Sequence, residues 1–139
     1  MSRPIERLDG GSAFEYTAGY CRAVRAERWI GVSGTAASAA DGERLADLDS
    51  YSQTRRAFEV ALGYAERLGA DSQSIIRTRM YLAPEAVWQD CARAHSELFG
   101  HQRPANTTLY VARLIPDGAL IEVELDAWTG EGGADVRHA

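Results

Sequence analysis

The sequence predicts a single α+β domain, in which a mixed β-sheet carries two helices on one face. Strand-like segments, rich in alternating or β-branched residues, are spread along the chain, whereas only two segments repeat apolar residues at helical spacing. The expected order is β, β, β, α, β, α, β, β. Two helices cannot cover both faces of five or six strands, so the second face is expected to be covered by another copy of the chain.

Length and charge limit the number of domains and the class of partner that the chain can have. The chain has 139 residues, which suits one domain with its own core. We assign residues 1–129 to this domain, and residues 130–139, which have little to bury, to a flexible tail. The net charge of −5 gives no reason to expect a nucleic-acid partner. All 15 basic residues are Arg, so no lysine is present to form a Schiff base.

The sequence also points to a compartment. The first residues, MSRPIERLDGGS, have no apolar segment typical of a signal peptide, and no apolar run approaches the roughly 18 residues of a membrane span. Cys21 and Cys91 do not form a CxxC pair, which favours two reduced thiols over a disulfide framework. We therefore expect a cytoplasmic protein without a membrane partner.

The N-terminal third is predicted to be strands and loops. Its three expected strands are Pro4–Leu8, Gly19–Val24 and Arg28–Ser33. Gly31, Ser33 and Gly34 interrupt the third strand, and such small residues suggest close approach of the backbone or of a ligand at the strand end. Residues 35–47 are small and polar, and we interpret them as a surface loop.

Two helices and a strand follow. The first helix is predicted over Ser50–Leu68, with Asp49 or Ser50 as its N-cap and Gly69 just past its end. Ile75–Leu82 is typical of a strand. The second helix is predicted from Pro84, at the first helical position, to Phe99.

The C-terminal segment is predicted to be a β-hairpin. Its strands are Thr107–Leu114 and Ala119–Ala127, joined by the turn Ile115–Gly118. The second strand alternates, because apolar side chains share one face while the other face bears three carboxylates between Leu120 and Trp128. These carboxylates are Glu122, Glu124 and Asp126.

Several short motifs occur in an order typical of one family. They are Ala18-Gly19-Tyr20, Val32-Ser33-Gly34, IRTRMYL at 76–82, FGHQRPA at 99–105, VARL at 111–114 and IEVE at 121–124. Together they make the chain resemble the RidA/YjgF family of reactive-intermediate deaminases. The resemblance implies a chorismate-mutase-like fold and a homotrimer with a central β-barrel and clefts between subunits. Active members hydrolyse enamines and imines, such as 2-aminoacrylate, to a 2-oxo acid and ammonia without a cofactor.

The resemblance also implies a site. Glu122 matches the carboxylate that positions and activates water and handles protons in the family. Tyr20, Ser33 and Gly34 match residues that shape the pocket and offer backbone N–H groups to the ligand.

At one position the chain departs from the family pattern. The family has an Arg directly after the Pro-Ala of the last loop, which holds the substrate carboxylate through a bidentate fork; here the residue is Asn106. Losing such a pair costs on the order of 2–5 kcal/mol of recognition. Thr107 stands where the family commonly has Cys. Arg103 and Arg79 are candidate replacements for the missing Arg.

Some of these residues allow a second interpretation. Glu122 could be a solvated strand carboxylate, and Asn106 could be either a ligand contact or a loop residue bonding its own backbone. Glu124 and Asp126 are expected to pair with Arg across a subunit contact. His95 is expected to face the sheet from its helix.

No metal site is predicted. His101 lies in the loop near the expected cleft and is a candidate for the site, whereas His138 is in the tail. The three His have no metal-ligand spacing with Cys or carboxylates.

The sequence thus predicts a RidA-like homotrimer that binds a small polar metabolite between its subunits. One hypothesis is a divergent enamine or imine deaminase-like hydrolase, in which Glu122 activates water against a C–N compound lacking the usual free carboxylate. A second is a non-catalytic binding or regulatory trimer, and a third is an enzyme with unrelated chemistry in the same cleft.

Overall fold

The structure is a computed structural model that describes residues 4–38 and 42–130. The predicted tail, apart from Gly130, lies outside the described residues. The helices and strands are, in chain order, β1 (Glu6–Leu8), α1 (Ala13–Ala18), β2 (Ala23–Ala26), β3 (Trp29–Ala36), α2 (Ser50–Arg67), β4 (Ile75–Leu82), α3 (Trp88–Phe99), β5 (Ala105–Tyr110) and β6 (Ile121–Trp128).

The strands form a mixed, 6-stranded sheet in the order β1-β2-β3-β6-β4-β5. Neighbouring strands run antiparallel except β4 and β5, which are parallel and joined through α3. The long helices α2 and α3 contact each other, and α2 lies on β3 and β6. The predicted α+β class, with two helices on one face of a mixed sheet, is confirmed.

The core lies between this helical layer and the sheet. Phe58 of α2 and Phe99 of α3 pack edge to face, with ring centroids 5.1 Å apart, and both are fully buried. The predicted core face of β6 meets them with fully buried side chains, which are Ile121, Val123, Leu125 and Ala127. Each large apolar side chain buried here contributes about 1.5–3 kcal/mol.

The predicted C-terminal hairpin is wrong. β5 pairs with β4 at the sheet edge, and β6 inserts between β3 and β4, so β5 and β6 are not neighbours. The buried amide of Gln53 holds the connection in this course, because it donates to the Gly118 carbonyl at 3.0 Å and accepts from the Leu120 N–H at 2.8 Å. This long-range contact has no local sequence signal.

A short helix, α1, was not predicted. A capping box forms its start: the Ser12 hydroxyl accepts from the Glu15 N–H, and the Glu15 carboxylate accepts from the Gly10 and Ser12 N–H groups. Gly19 ends it in the left-handed region, with φ 79°. The predicted strand Gly19–Val24 is therefore displaced, and Tyr20 lies in the turn before β2 rather than in a strand.

The boundaries of the other helices and strands lie closer to the predicted ones. β4 has its predicted bounds, and β3 continues three residues past its predicted end, to Ala36. Pro84 and Glu85 lie in a turn closed by the Ala86 N–H on the Ala83 carbonyl at 3.0 Å. Helix α3 begins only after its extended N-cap Val87, whose N–H donates to the Ser50 hydroxyl at 2.9 Å. Within the two described ranges, no helix is both long and apolar enough to cross a membrane.

Candidate functional site

A cleft of about 470 Å³ opens where α1, β3 and β6 meet, and we call it the Glu122 cleft. It is formed by the turn after α1, the end of β3, the first half of β6 and the loop before β6. Its lining residues are Phe14, Tyr20, Arg22, Ser33, Gly34, Ile115, Pro116, Glu122 and Glu124. Four of the sequence-predicted site residues, Tyr20, Ser33, Gly34 and Glu122, are therefore brought together in one chain.

A β-bulge shapes the floor of this cleft. Val32 pairs with Leu125 and Thr35 with Val123, so two residues of β3 stand opposite one residue of β6. The two bulged residues are Ser33 and Gly34. Bulges of this kind re-aim side chains and are common beside active sites. The Ser33 hydroxyl donates to the Cys21 carbonyl at 2.6 Å, which ties the bulge to the turn carrying Tyr20.

Glu122 lies directly against the bulge. A Cβ added to Gly34 would stand 2.9 Å from Glu122 Oε2 and 3.1 Å from its Cδ. The absence of a side chain at residue 34 thus leaves the room that the carboxylate occupies. Small residues at this strand end predicted such a close approach from the sequence, and here the approaching group is the candidate catalytic carboxylate.

The surroundings of Glu122 favour its protonated form. Burial is the main cause that raises its pKa above the usual range; the positive charge of Arg22 opposes this, and the negative charge of Glu124 adds to it. A carboxyl group with a raised pKa is better matched to accepting and returning a proton near neutral pH than an ordinary surface carboxylate.

Arg22 is a cleft residue that the sequence interpretation missed. Its Nη1 donates to the Gly34 carbonyl at 3.1 Å, and its guanidinium carbon stands 5.4 Å from the centre of the Tyr20 ring. The sequence does hold a signal, because residues two apart in an extended segment share a side and Tyr20 was already a candidate.

The other carboxylates of β6 are engaged within the chain. Arg79 of β4 lies 3.6 Å from a carboxylate oxygen of both Glu124 and Asp126, and the Tyr81 hydroxyl donates to Glu124. This hydrogen bond is the main cause that raises the pKa of Tyr81. We expected Glu124 and Asp126 to pair with Arg across a subunit contact, whereas their arginine partner here is in the same chain.

Asn106, Thr107 and Arg103 lie away from the Glu122 cleft, on or beside the edge strand β5. Asn106 is a strand residue whose side-chain amide donates to Thr78 Oγ1 at 3.0 Å and whose amide oxygen accepts from the Thr108 hydroxyl at 2.8 Å. Arg103 is exposed before β5, with φ 52°. One chain therefore does not bring these three residues to Glu122.

Thr78 links Asn106 to the helical layer. Thr78 is fully buried, and its hydroxyl lies 2.7 Å from Nε2 of His95. The His95 ring also packs against Phe58 and Phe99, with centroid distances of 5.5 and 5.0 Å. Burial lowers the pKa of His95, which favours the neutral ring. His95 faces the sheet as predicted, on the opposite side from the Glu122 cleft.

Neither thiol is part of a disulfide, and both Cys21 and Cys91 are free. In the described part of the chain, no group of three or more His, Cys, Asp or Glu side chains is placed to hold a metal ion. His101 is exposed near Arg103 and does not line the Glu122 cleft.

Comparison with known proteins assigns the chain to a family. A family model described as Endoribonuclease L-PSP, the family of the RidA/YjgF proteins, matches residues 10–129. The chain belongs to this family. It is 37% identical to an uncharacterized protein of Streptomyces coelicolor over 130 residues, which cover 93% of this chain and 96% of that protein.

Solved structures agree with this membership. A member of the YjgF/YER057c/UK114 family from Mycobacterium tuberculosis is 35% identical and superposes with a TM-score of 0.73, covering 90% of this chain and 99% of the other. A protein of unknown function from Pseudomonas aeruginosa has the same fold at 20% identity, with a TM-score of 0.78 over 96% of this chain and 99% of its own.

Proposed function

We propose that this protein is a divergent RidA-type hydrolase that cleaves the C–N bond of a small enamine or imine. Water adds to the imine carbon, and the resulting carbinolamine releases ammonia to leave a carbonyl, so that one imine and one water give one carbonyl compound and one ammonia. Glu122 accepts the proton of the attacking water and returns it to the leaving nitrogen. No cofactor takes part in this scheme.

The placement of Glu122 supports this proposal. Its carboxyl group is half-buried, stands against the backbone of Gly34 and has a raised pKa. A merely solvated strand carboxylate would need neither a side-chain-free neighbour nor partial burial. Tyr20 and Phe14 add aromatic walls beside it.

The substrate differs from the family's usual 2-imino acid in how it is held. Both polar groups of the Asn106 amide are used inside the domain, by Thr78 and Thr108. Asn106 has no charge, and its amide nitrogen has one N–H left besides the one that Thr78 accepts, so it cannot replace a two-donor guanidinium fork. Arg103, Asn106 and Thr107 would contribute to a Glu122 cleft only if β5 of a second copy lay beside it.

We further propose that the protein works as a cytoplasmic homotrimer with its clefts between subunits. The face of the sheet opposite α2 and α3 exposes Trp29 and Trp128, and the edge strand β5 exposes Leu109 and Tyr110. Exposed apolar groups on an edge and a face of one sheet favour burial against a further copy. Analytical ultracentrifugation tests this, and a mass of one chain at micromolar concentration contradicts it.

The activity is tested with imines generated in place from a panel of amino acids by an amino-acid oxidase, and with neutral enamines. The rate of ammonia release above the spontaneous rate is compared between the wild type and Glu122→Gln. We expect the substitution to lower the enzymatic rate by about 10²–10⁴-fold. Glu59→Gln is the matched control, because Glu59 is an exposed carboxylate on α2, remote from the cleft.

Two results would contradict the proposal: the first its catalytic residue, the second its hydrolytic activity. An active protein whose rate is unaffected by Glu122→Gln would place the chemistry elsewhere. A wild type without activity on any panel member, but with saturable binding of small metabolites, would favour the alternative, a non-catalytic binding or regulatory trimer.

A further inference from the structure

We propose that the guanidinium of Arg22 binds a carboxylate group of the substrate in the Glu122 cleft. This inference rests on the hydrolase proposed above and narrows its substrate class to small carboxylates held from the α1–β2 side. It also revises the sequence interpretation, in which the loss of the family's Arg at Asn106 implied a substrate without a carboxylate.

Arg22 is a sheltered cation without a carboxylate partner. Among the described residues it forms no ion pair within 4.0 Å, whereas Arg79 is paired to two carboxylates. Its Nε is shielded from water and has no hydrogen-bond partner in the described residues. A partly buried charge is rarely left without a counter-charge, so a carboxylate from outside the chain is the expected partner of the guanidinium where it lines the cleft.

The guanidinium is also held in place. Nη1 donates to the Gly34 carbonyl, and the guanidinium carbon lies over the Tyr20 ring. Because Nη1 donates to Gly34 and Nε is shielded, Nη2 is the donor that remains for a ligand, and a charged N–H of this kind forms a strong hydrogen bond to a carboxylate oxygen. A cation already fixed by its neighbours loses little side-chain freedom on binding.

Arg22 and Glu122 stand on two sides of one residue. Arg22 bonds the carbonyl of Gly34, and Glu122 lies against its α-carbon. A small molecule in the cleft can therefore place its carboxylate on Arg22 while its reacting carbon faces Glu122. The influence of the Arg22 charge on the pKa of Glu122 agrees with this proximity.

Arg25 provides a matched control three residues along. Its guanidinium donates to the carbonyls of Glu27 at 2.8 Å and Leu68 at 2.6 Å, and it does not line the Glu122 cleft. Arg22→Gln and Arg25→Gln both remove hydrogen bonds to backbone carbonyls, but only Arg22→Gln removes a positive charge from the cleft.

The test is calorimetric titration with pyruvate and with its uncharged amide, pyruvamide. We expect Arg22→Gln to weaken pyruvate binding by roughly 10–150-fold, the range for a hydrogen bond to a charged group, and to leave pyruvamide binding within about twofold. Arg25→Gln leaves both unchanged. Arg22→Lys, which keeps the charge but loses the planar guanidinium, gives an intermediate loss and replaces Arg22→Gln in the test if that variant does not fold.

Three outcomes would overturn the proposal. They are no measurable pyruvate binding by the wild type, equal binding by the wild type and both Arg22 variants, and an equal loss for pyruvate and pyruvamide, which indicates a structural role. Glu122→Gln separates this proposal from the hydrolase. If it retains Arg22-dependent pyruvate binding while the wild type hydrolyses no imine, the carboxylate site stands and the hydrolase fails.

Discussion

The two faces of β6 differ in burial and in polarity. Toward the helices, every second residue is apolar and fully buried, from Ile121 to Ala127. Toward the other side, Glu122, Glu124 and Asp126 are only half-buried, and Trp128 is 50% exposed. The same strand thus has one face that is complete within a single chain and one that holds charges, an aromatic ring and part of a cleft.

The polar groups on the two sides differ in the same way. On the helical side, Asn106, Thr78 and His95 are linked to one another and close a network inside the domain. On the open side, Glu122 has a raised pKa and Arg22 has no carboxylate partner among the described residues. Satisfied polar groups stabilise a fold, whereas unsatisfied ones at a cleft indicate a ligand.

The largest expected effect is on the helical side. Leu125→Ala leaves a cavity under α2 and should lower the free energy of unfolding by about 2–5 kcal/mol in urea denaturation. Its counterpart on the open face, Asp126→Asn, should change it by no more than about 1 kcal/mol, because the ion pair with Arg79 is partly exposed. Equal losses would mean that the two faces are equally packed.

Gly34→Ala tests the open side. The new Cβ meets the end of the Glu122 side chain, so the carboxylate must turn away, and hydrolysis should fall by up to about 100-fold. Gly63→Ala in α2 is the control, because a Cβ there meets nothing within 4 Å. That variant should keep its activity and gain about 0.5–1 kcal/mol of stability. A fully active Gly34→Ala would show that the position of Glu122 is unimportant.

Thr78→Val tests the network on the helical side. It keeps the shape of residue 78 but removes the hydroxyl that accepts from Asn106 and lies against His95. We expect a loss of about 1–3 kcal/mol in the free energy of unfolding. Thr108→Val, which removes only the bond to the exposed Asn106, should cost about 0.5 kcal/mol or less. The network would be irrelevant to stability if the two variants unfolded alike.

The smallest expected effect is a pH dependence due to His95. Its pKa is lowered in the folded state, so the unfolded chain binds more protons near its ordinary pKa of about 6.5. The stability due to neutral His95 is therefore present above that pH and is lost as the pH falls below it. The difference in unfolding free energy between wild type and His95→Gln should shrink from pH 7.5 to pH 5.5.

Two features separate this effect from other titrations. The raised pKa values of Glu122 and Asp126 act with the opposite sign, since their contribution is lost as the pH rises, and they are common to both proteins. His101→Gln is the control, because that side chain is exposed. A wild-type curve parallel to that of His95→Gln would contradict the prediction.

Most of the fold was predictable because its signals are local. The helical stripe ending at Gly69 predicted α2 within one residue, and Ile75–Leu82 is β4 as expected. The alternation in β6 correctly separated its core face. The capping box Ser12–Glu15 is also a local signal and would have predicted α1.

The prediction of a C-terminal hairpin failed for a physical reason. Two strands joined by a Pro-Asp-Gly turn favour pairing with each other, but β4 and β3 offer β6 a place in the centre of the sheet, where its apolar face is fully buried. Burial of its four apolar side chains, together with the contacts of Gln53, outweighs the local turn preference.

By itself, the sequence determined the α+β class, the family, the two long helices and the candidate carboxylate Glu122, since these depend on periodicity and short motifs. Only the tertiary structure decided the order of the strands, the separation of Asn106 from Glu122 and the meeting of Arg22 with Gly34. Those features come from contacts between residues distant in the chain, whose free energies no local pattern records.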